Sequence, residues 1–261
     1  MARPIYRGGN FDELWRCLAG IIPENKDEEG SWNYWQSWLE WRKKEYKNAL
    51  DLAVKAIECG DRRGWEIVAY YAAHVSKDDA ALNAALKQLD SDNPVVINAV
   101  LIRAKDADCA MGAEDILAFE GRIKGTPEQA ANCWNNGGLA LLKKARTSDD
   151  VKTGIVWINK AIELYHEVGI DHHLAGAYFR RSLLEESLGD RIAAKESMRL
   201  SVYHWEEACG KFKNNESFAN NLASNRKRYA GLMVVAFVIT LAQLPNCLPE
   251  FMAHVVTRLI T

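Results

Sequence analysis

Residues 46–94 read YKNALDLAVKAIECGDRRGWEIVAYYAAHVSKDDAALNAALKQLDSDNP, and this stretch decides the fold. Ala49 and Ala81 each lie in a run of helix formers, and Ala113 repeats the position once more, each 32 residues from the last. Pro94 and Pro127, 33 apart, punctuate the same register. A fixed period in this range is the signature of stacked helical hairpins. A lone hairpin cannot bury its apolar face, so its neighbours must cover it. A small residue at each repeat lets two helices approach closely. The expected fold class is therefore all-α, a solenoid of antiparallel helix pairs.

Outward from this stretch the pairs continue. Ser31–Lys44 and Tyr46–Glu58 form the first, closed by Gly60-Asp61. Gly64–Val75 with Asp78–Leu89, and Val95–Lys105 with Gly112–Arg122, form the second and third. Glu128–Ala145 with Asp150–Val168, and Leu174–Leu188 with Arg191–Cys209, form the fourth and fifth. The short linkers between them are what helical hairpins require. Ahead of the pairs, Asn10 caps a short helix at Phe11–Gly20, Pro23–Gly30 reads as a polar acidic loop, and Ser31 caps a tryptophan-rich helix. Beyond them, Asn214–Leu244 reads as one long helix or two. Pro245 and Pro249 break it before a terminal helix at Glu250–Ile260. Three regions result: an N-terminal helix and acidic loop over 1–30, helical repeats over 31–210, and a C-terminal helical cap over 211–261.

A net charge of −2 argues against a protein built around nucleic-acid phosphates, which would want a large basic excess. The six cysteines include no C-x-x-C, so metal knuckles and redox motifs fall away. The opening MARPIYRGGNFDELW holds no apolar run of the signal-peptide kind, and scattered thiols in a reducing cytoplasm are expected.

The residues resemble the tetratricopeptide repeat. That family's pattern sets a bulky then a small residue in the first helix, Gly-Asp at the turn, and small residues in the second helix. Tyr178, Ser182, Gly189-Asp190, Ala194 and Ser201 follow it most fully. Trp65, Ala69, Ala81 and Pro94 follow it in the second pair; Trp134, Gly138, Ala161 and Ile162 in the fourth. The likeness covers roughly residues 31 to 210, with a period of 32 in place of the family's 34 in the first three repeats. It implies a right-handed superhelix of about five pairs whose first helices line a concave groove for extended peptides or partner helices. Mapped position by position, the protein-binding wall would hold Tyr34, Trp38, Trp41, Tyr70, His74, Asn98, Lys105, Asn135, Phe179 and Arg180. One variety of the family clamps a partner's C-terminal carboxylate. Asn136 and Arg180 fall at clamp positions, but Asn98, Ile102 and Gly176 stand where Lys, Asn and Lys are needed, so that activity is not expected.

Trp32, Trp35, Trp38 and Trp41 step three apart, and each step of three falls 60° short of a full turn. They sweep half the helix and cannot share one buried stripe: cover by the Phe11–Gly20 helix on one flank and the second helix on the other is expected to account for most of them, and the alternative is that part of this wall is an anchor surface. Tyr229–Leu244 reads YAGLMVVAFVITLAQL, shorter than the ~20 residues that span hydrocarbon. It is expected to be buried by the terminal helix or in a homodimer rather than in a membrane. His166, His172 and His173 read as a solvated helix end with no metal. The Gly137-Gly138 pair inside a helix costs ~1 kcal/mol of propensity per glycine, which close packing would offset. No G-x-S-x-G, phosphate loop or G-x-G-x-x-G occurs. The expected function is a non-enzymatic, cytoplasmic scaffold or adaptor for a protein or peptide partner, with no cofactor. The alternatives are a sensor module for a peptide or small ligand, and an enzyme on a helical fold acting on nucleic acid.

Overall fold

A computed structural model describes Leu18, residues 20–90 and residues 92–242. The expected helix at Phe11–Gly20 lies almost wholly outside the described residues, as do Pro245, Pro249 and the terminal helix. Among the described residues the chain is helical throughout, with no strand. Eleven α-helices follow one another among the described residues: α1 (Lys26–Arg42), α2 (Tyr46–Glu58), α3 (Gly64–Tyr71), α4 (Asp79–Gln88), α5 (Pro94–Ala104), α6 (Ala113–Leu117), α7 (Pro127–Lys144), α8 (Ser148–Val168), α9 (Asp171–Ser187), α10 (Arg191–Lys211) and α11 (Glu216–Ala242). They pack in adjacent pairs, most extensively α1 on α2, α7 on α8 and α9 on α10. Alternate helices also meet: α1 touches α3, α3 touches α5, α5 touches α7 and α7 touches α9.

The sequence signals for helix ends hold in most places. Asn93 caps α5 and Thr126 caps α7, each with proline at the first helical positions, where a missing N–H costs nothing. Thr147 and Asp150 form a reciprocal capping box on α8. Gly169 ends α8 at φ +74°, a left-handed position that glycine adopts without a Cβ penalty.

Three expectations need correction. The first helix begins at Lys26, not Ser31, so the boundary drawn between residues 30 and 31 runs through α1. Asn25 Oδ1 accepts from the Glu28 amide at 2.9 Å, and Asp27, Glu28 and Glu29 complement the dipole of the first turn. Gly30 is not a loop signal: a Cβ there would lie 3.1 Å from the Cys59 Cβ, where α2 ends against it. Second, the helix opening at Gly64 does not stay α-helical to Val75. It passes into a π turn, Ala72–Ser76, that stops at Lys77 in the left-handed region. Third, the segment from Gly112 forms only the single-turn α6 and a short 3₁₀ stretch at Glu120–Arg122.

One continuous core runs from α3 to α9. Ile97, Leu101, Ile116, Leu141, Trp157, Ile158, Tyr165 and Leu184 are fully buried in it. Helix α5 is buried from Val96 to Ala104, as expected of a helix apolar on nearly every side. Ala49 and Ala194 are fully enclosed and Ala113 is buried, but Ala81 is only half-buried on the short α4. At the α7–α8 crossing, Gly137 faces the Trp157 ring and Gly138 faces the Gly154 carbonyl, so the glycine pair does serve close packing. The buried cation in this core is Arg103, 3% exposed. It bonds Asp79 at 2.9 Å, Asp106 at 3.2 Å and Asp108 at 2.7 Å. A buried guanidinium needs such partners to offset its lost hydration. Among the described residues no helix is long and apolar enough to cross a membrane.

Candidate functional site

The tryptophans of α1 divide between two environments. Tyr34 is 6% exposed and donates its hydroxyl to Glu66 Oε2 at 2.6 Å. Asn93 Nδ2 donates to the other Glu66 oxygen at 3.1 Å, and the Arg63 guanidinium lies 4.5 Å over the Tyr34 ring. Burial first, then the Glu66 charge, raises the Tyr34 hydroxyl far above its ordinary range. Tyr34 is therefore a buried tie between α1, α3 and the start of α5 and is not presented to a ligand, a correction to its place on the wall.

Trp38 and Trp41 remain partly open and meet the end of α3. The Trp38 ring is 5.4 Å from Tyr70 and the Trp41 ring 5.8 Å, both edge-on. His74, brought over Tyr70 as the π turn begins, stacks on it at 5.7 Å and lies 5.9 Å from Trp41. Edge-on and offset rings are the favoured aromatic geometries. Desolvation, then Lys105 and Lys77, holds His74 well below its ordinary pKa, so its imidazole is neutral at pH 7. π turns recur at functional positions because they displace a helix face locally.

From Tyr70 a polar ladder crosses to the next two first helices. Asn98 Nδ2 on α5 donates to the Tyr70 hydroxyl at 2.6 Å. Asn136 Nδ2 on α7 donates to Asn98 Oδ1 at 2.8 Å. Lys105 Nζ, at the end of α5, donates to Asn136 Oδ1 at 3.1 Å. Burial, then nearby Arg180 on α9, lowers the Lys105 ammonium to about 8. Burial also lowers Arg180 itself. Neither cation has a carboxylate within ion-pair distance among the described residues. Asn135, 5% exposed, donates to the Tyr165 hydroxyl at 3.5 Å, and its Oδ1 has no hydrogen-bond partner.

Six of the ten residues mapped to the wall are thus joined along one row: Trp38, Trp41, Tyr70, His74, Asn98 and Lys105. Asn135 lies beside the row against Tyr165. Phe179 does not join it, for Arg228 of α11 sits 5.8 Å over its ring. Asn136, absent from the mapped wall, is the link between Asn98 and Lys105. Its signal was there in Asn135-Asn136-Gly137-Gly138, four poor helix formers in the middle of a helix.

Of the histidines at the α8–α9 junction, His166 is exposed as expected, but His172 and His173 are not part of a solvated end. His173 packs edge-on to Tyr165 at 5.0 Å and His172 stacks on Phe218 of α11 at 5.0 Å. Desolvation lowers His172 to about 4 and His173 to about 3, with nearby cations adding to it. Among the described residues no three His, Cys, Asp or Glu side chains are placed to hold a metal ion. Compared with known proteins, the chain matches no family model, no curated protein and no solved structure.

Proposed function

We propose that the chain is a non-enzymatic scaffold: a right-handed superhelix of tetratricopeptide-like pairs that holds a partner protein segment along the face of its first helices. One observation carries this. Side chains from α1, α3, α5 and α7, each the first helix of its pair, meet in one row from Trp38 and Trp41 through Tyr70 and Asn98 to Asn136. Contacts between alternate helices support the stacking that such a row needs. Partly open tryptophan and tyrosine are the side chains that dominate interface energetics. Free thiols at Cys59, Cys109, Cys133 and Cys209 fit work in the reducing cytoplasm.

The test is capture of partners from cell lysate on immobilised chain, compared with Trp38→Ala and Tyr70→Ala. A stoichiometric protein partner should be lost from both variants while their helical circular dichroism is retained. A partner that tolerates both changes would place the binding face elsewhere.

A further inference from the structure

The first turn of α9 ties three helices together with three successive side chains. Asp171 reaches α10: its Oδ1 lies 3.3 Å from His204 Nδ1, and Lys211 bonds its other oxygen. His172 turns to α11 and stacks on Phe218, with ring centroids 5.0 Å apart and 25° between planes. His173 packs edge-on to Tyr165 of α8. The two imidazoles are themselves 4.4 Å apart. The hold on α11 is local. Its Phe218 and Leu222 pack on Ala175, Trp205 and Ala208, a small cluster separate from the continuous core. Arg226 with Glu206 and Arg228 with Glu186 are ion pairs between exposed side chains, which contribute little. An element held by few buried apolar contacts opens ahead of the core.

A proton on His172 bears directly on that hold. The charged ring would sit between the Phe218 ring and the His173 ring, with part of its water removed. A phenyl face attracts a cation weakly, which favours the charged form, but desolvation opposes it. The neighbouring carboxylate, Asp171, is already bonded to His204 and Lys211 of α10, where Glu207 also acts on both. From α8 come Tyr165 and the exposed His166; from α11, the exposed Glu216 two residues before Phe218. Arg42 of α1 adds positive field at both imidazoles, and Arg180 of α9 at His173.

We propose that α11 is a proton-sensitive latch: it docks through the His172–Phe218 stack at neutral pH, and its Phe218 end is released, with the rest of the fold intact, when His172 takes a proton. Release uncovers Trp205 and Ala208 on α10. The proposal does not depend on the scaffold function. The docked ring has a pKa of about 4 against the ordinary 6.5 that a released ring regains. The released form binds the proton more tightly, so docking is fully present above pH 6.5 and weakens as pH falls. Relative to pH 7.4, those two values weaken docking by about fourfold at pH 6 and by up to about 25-fold at pH 5.

Hydrogen–deuterium exchange of the intact chain at pH 7.4, 6 and 5, with times scaled to equal intrinsic exchange, tests this. Protection over residues 217–226 should fall by those factors, while α7 and α8 keep theirs. His172→Phe should hold the protection of α11 constant across the range, because a phenyl ring keeps the stack and takes no proton. His172→Leu serves as the second non-titrating variant should His172→Phe fold poorly. The same loss of protection in a His172 variant would assign the effect to Glu186, Glu206 or Glu216 and overturn the proposal. So would protection lost from α7 and α8 in step with α11, protection of α11 unchanged at pH 5, or an α11 already unprotected at pH 7.4.

Discussion

Gly138→Ala is expected to destabilise the chain, while Gly176→Ala, the same change in another helix interior, is expected to stabilise it. In both helices alanine gains ~1 kcal/mol of intrinsic propensity over glycine. The difference lies in what the new methyl meets. At Gly138 it would stand 2.7 Å from Ile158 Cγ1 and 2.8 Å from the Gly154 carbonyl oxygen. Ile158 is fully buried and Gly154 O is backbone, so neither can swing away. Overpacking of this kind costs ~1–3 kcal/mol. Set against the propensity gain, with contacts this short at the upper end of the range, the net loss is ~1–2 kcal/mol. At Gly176 no atom beyond its chain neighbours and its own stretch of helix backbone lies within 4 Å, and the gain should appear at ~0.5–1 kcal/mol. Urea denaturation with unchanged slope reads both values. Stabilisation by both substitutions would mean that α7 and α8 do not cross at this distance, and the paired-helix packing would be refuted there.

Tyr34→Phe should cost ~1–3 kcal/mol in the same assay, because Glu66 loses a buried donor at 2.6 Å while the ring and its packing stay; a neutral result would remove the α1–α3 tie. Acid should weaken the chain before its carboxylates titrate. His172 and His173 have folded pKa values of about 4 and about 3, below the ordinary 6.5 of the unfolded chain. The unfolded state therefore binds more protons, and their contribution is fully present above pH 6.5. It is lost as pH falls toward 4, at up to ~1.4 kcal/mol per pH unit for each histidine. His173→Gln should flatten that slope in denaturation at stepped pH, and an unchanged slope would mean that the imidazole is not desolvated.

The pairs were legible because helix-end chemistry is local. Asn93-Pro94, Thr126-Pro127 and Gly189-Asp190 mark ends that the structure keeps. Gly30 misled because glycine marks both a loop and a close helix approach, and only the position of Cys59 tells which. The failure of the third pair's second helix has a similar cause. Its early residues are helix formers, but Gly121 and Gly125 leave little to sustain it beyond Leu117. At the candidate site, Trp38, Tyr70 and Asn98 could be placed because the expected repeat register assigns each to the same helix face. Asn136 was missed because a register names a face and not a partner: its role depends on Asn98 and Lys105, 38 and 31 residues away in sequence. Tyr34 was misplaced for the converse reason. Its buried acceptor, Glu66, looks on sequence like a solvated charge. That Lys105 meets no carboxylate at ion-pair distance among the described residues could not be read at all, since it depends on which carboxylates fold against it.

The central claim is that the first-helix row is the partner surface, and the nine tryptophans allow it to be tested by position. Indole ¹⁵N–¹H resonances, assigned by single Trp→Phe variants, are followed while a partner captured on the immobilised chain is added. The account predicts that the Trp38 and Trp41 signals move with the partner. Those of Trp157 and Trp205, buried in the core, should stay in place. Movement confined to other indoles, with Trp38 and Trp41 unchanged at saturation, would contradict it.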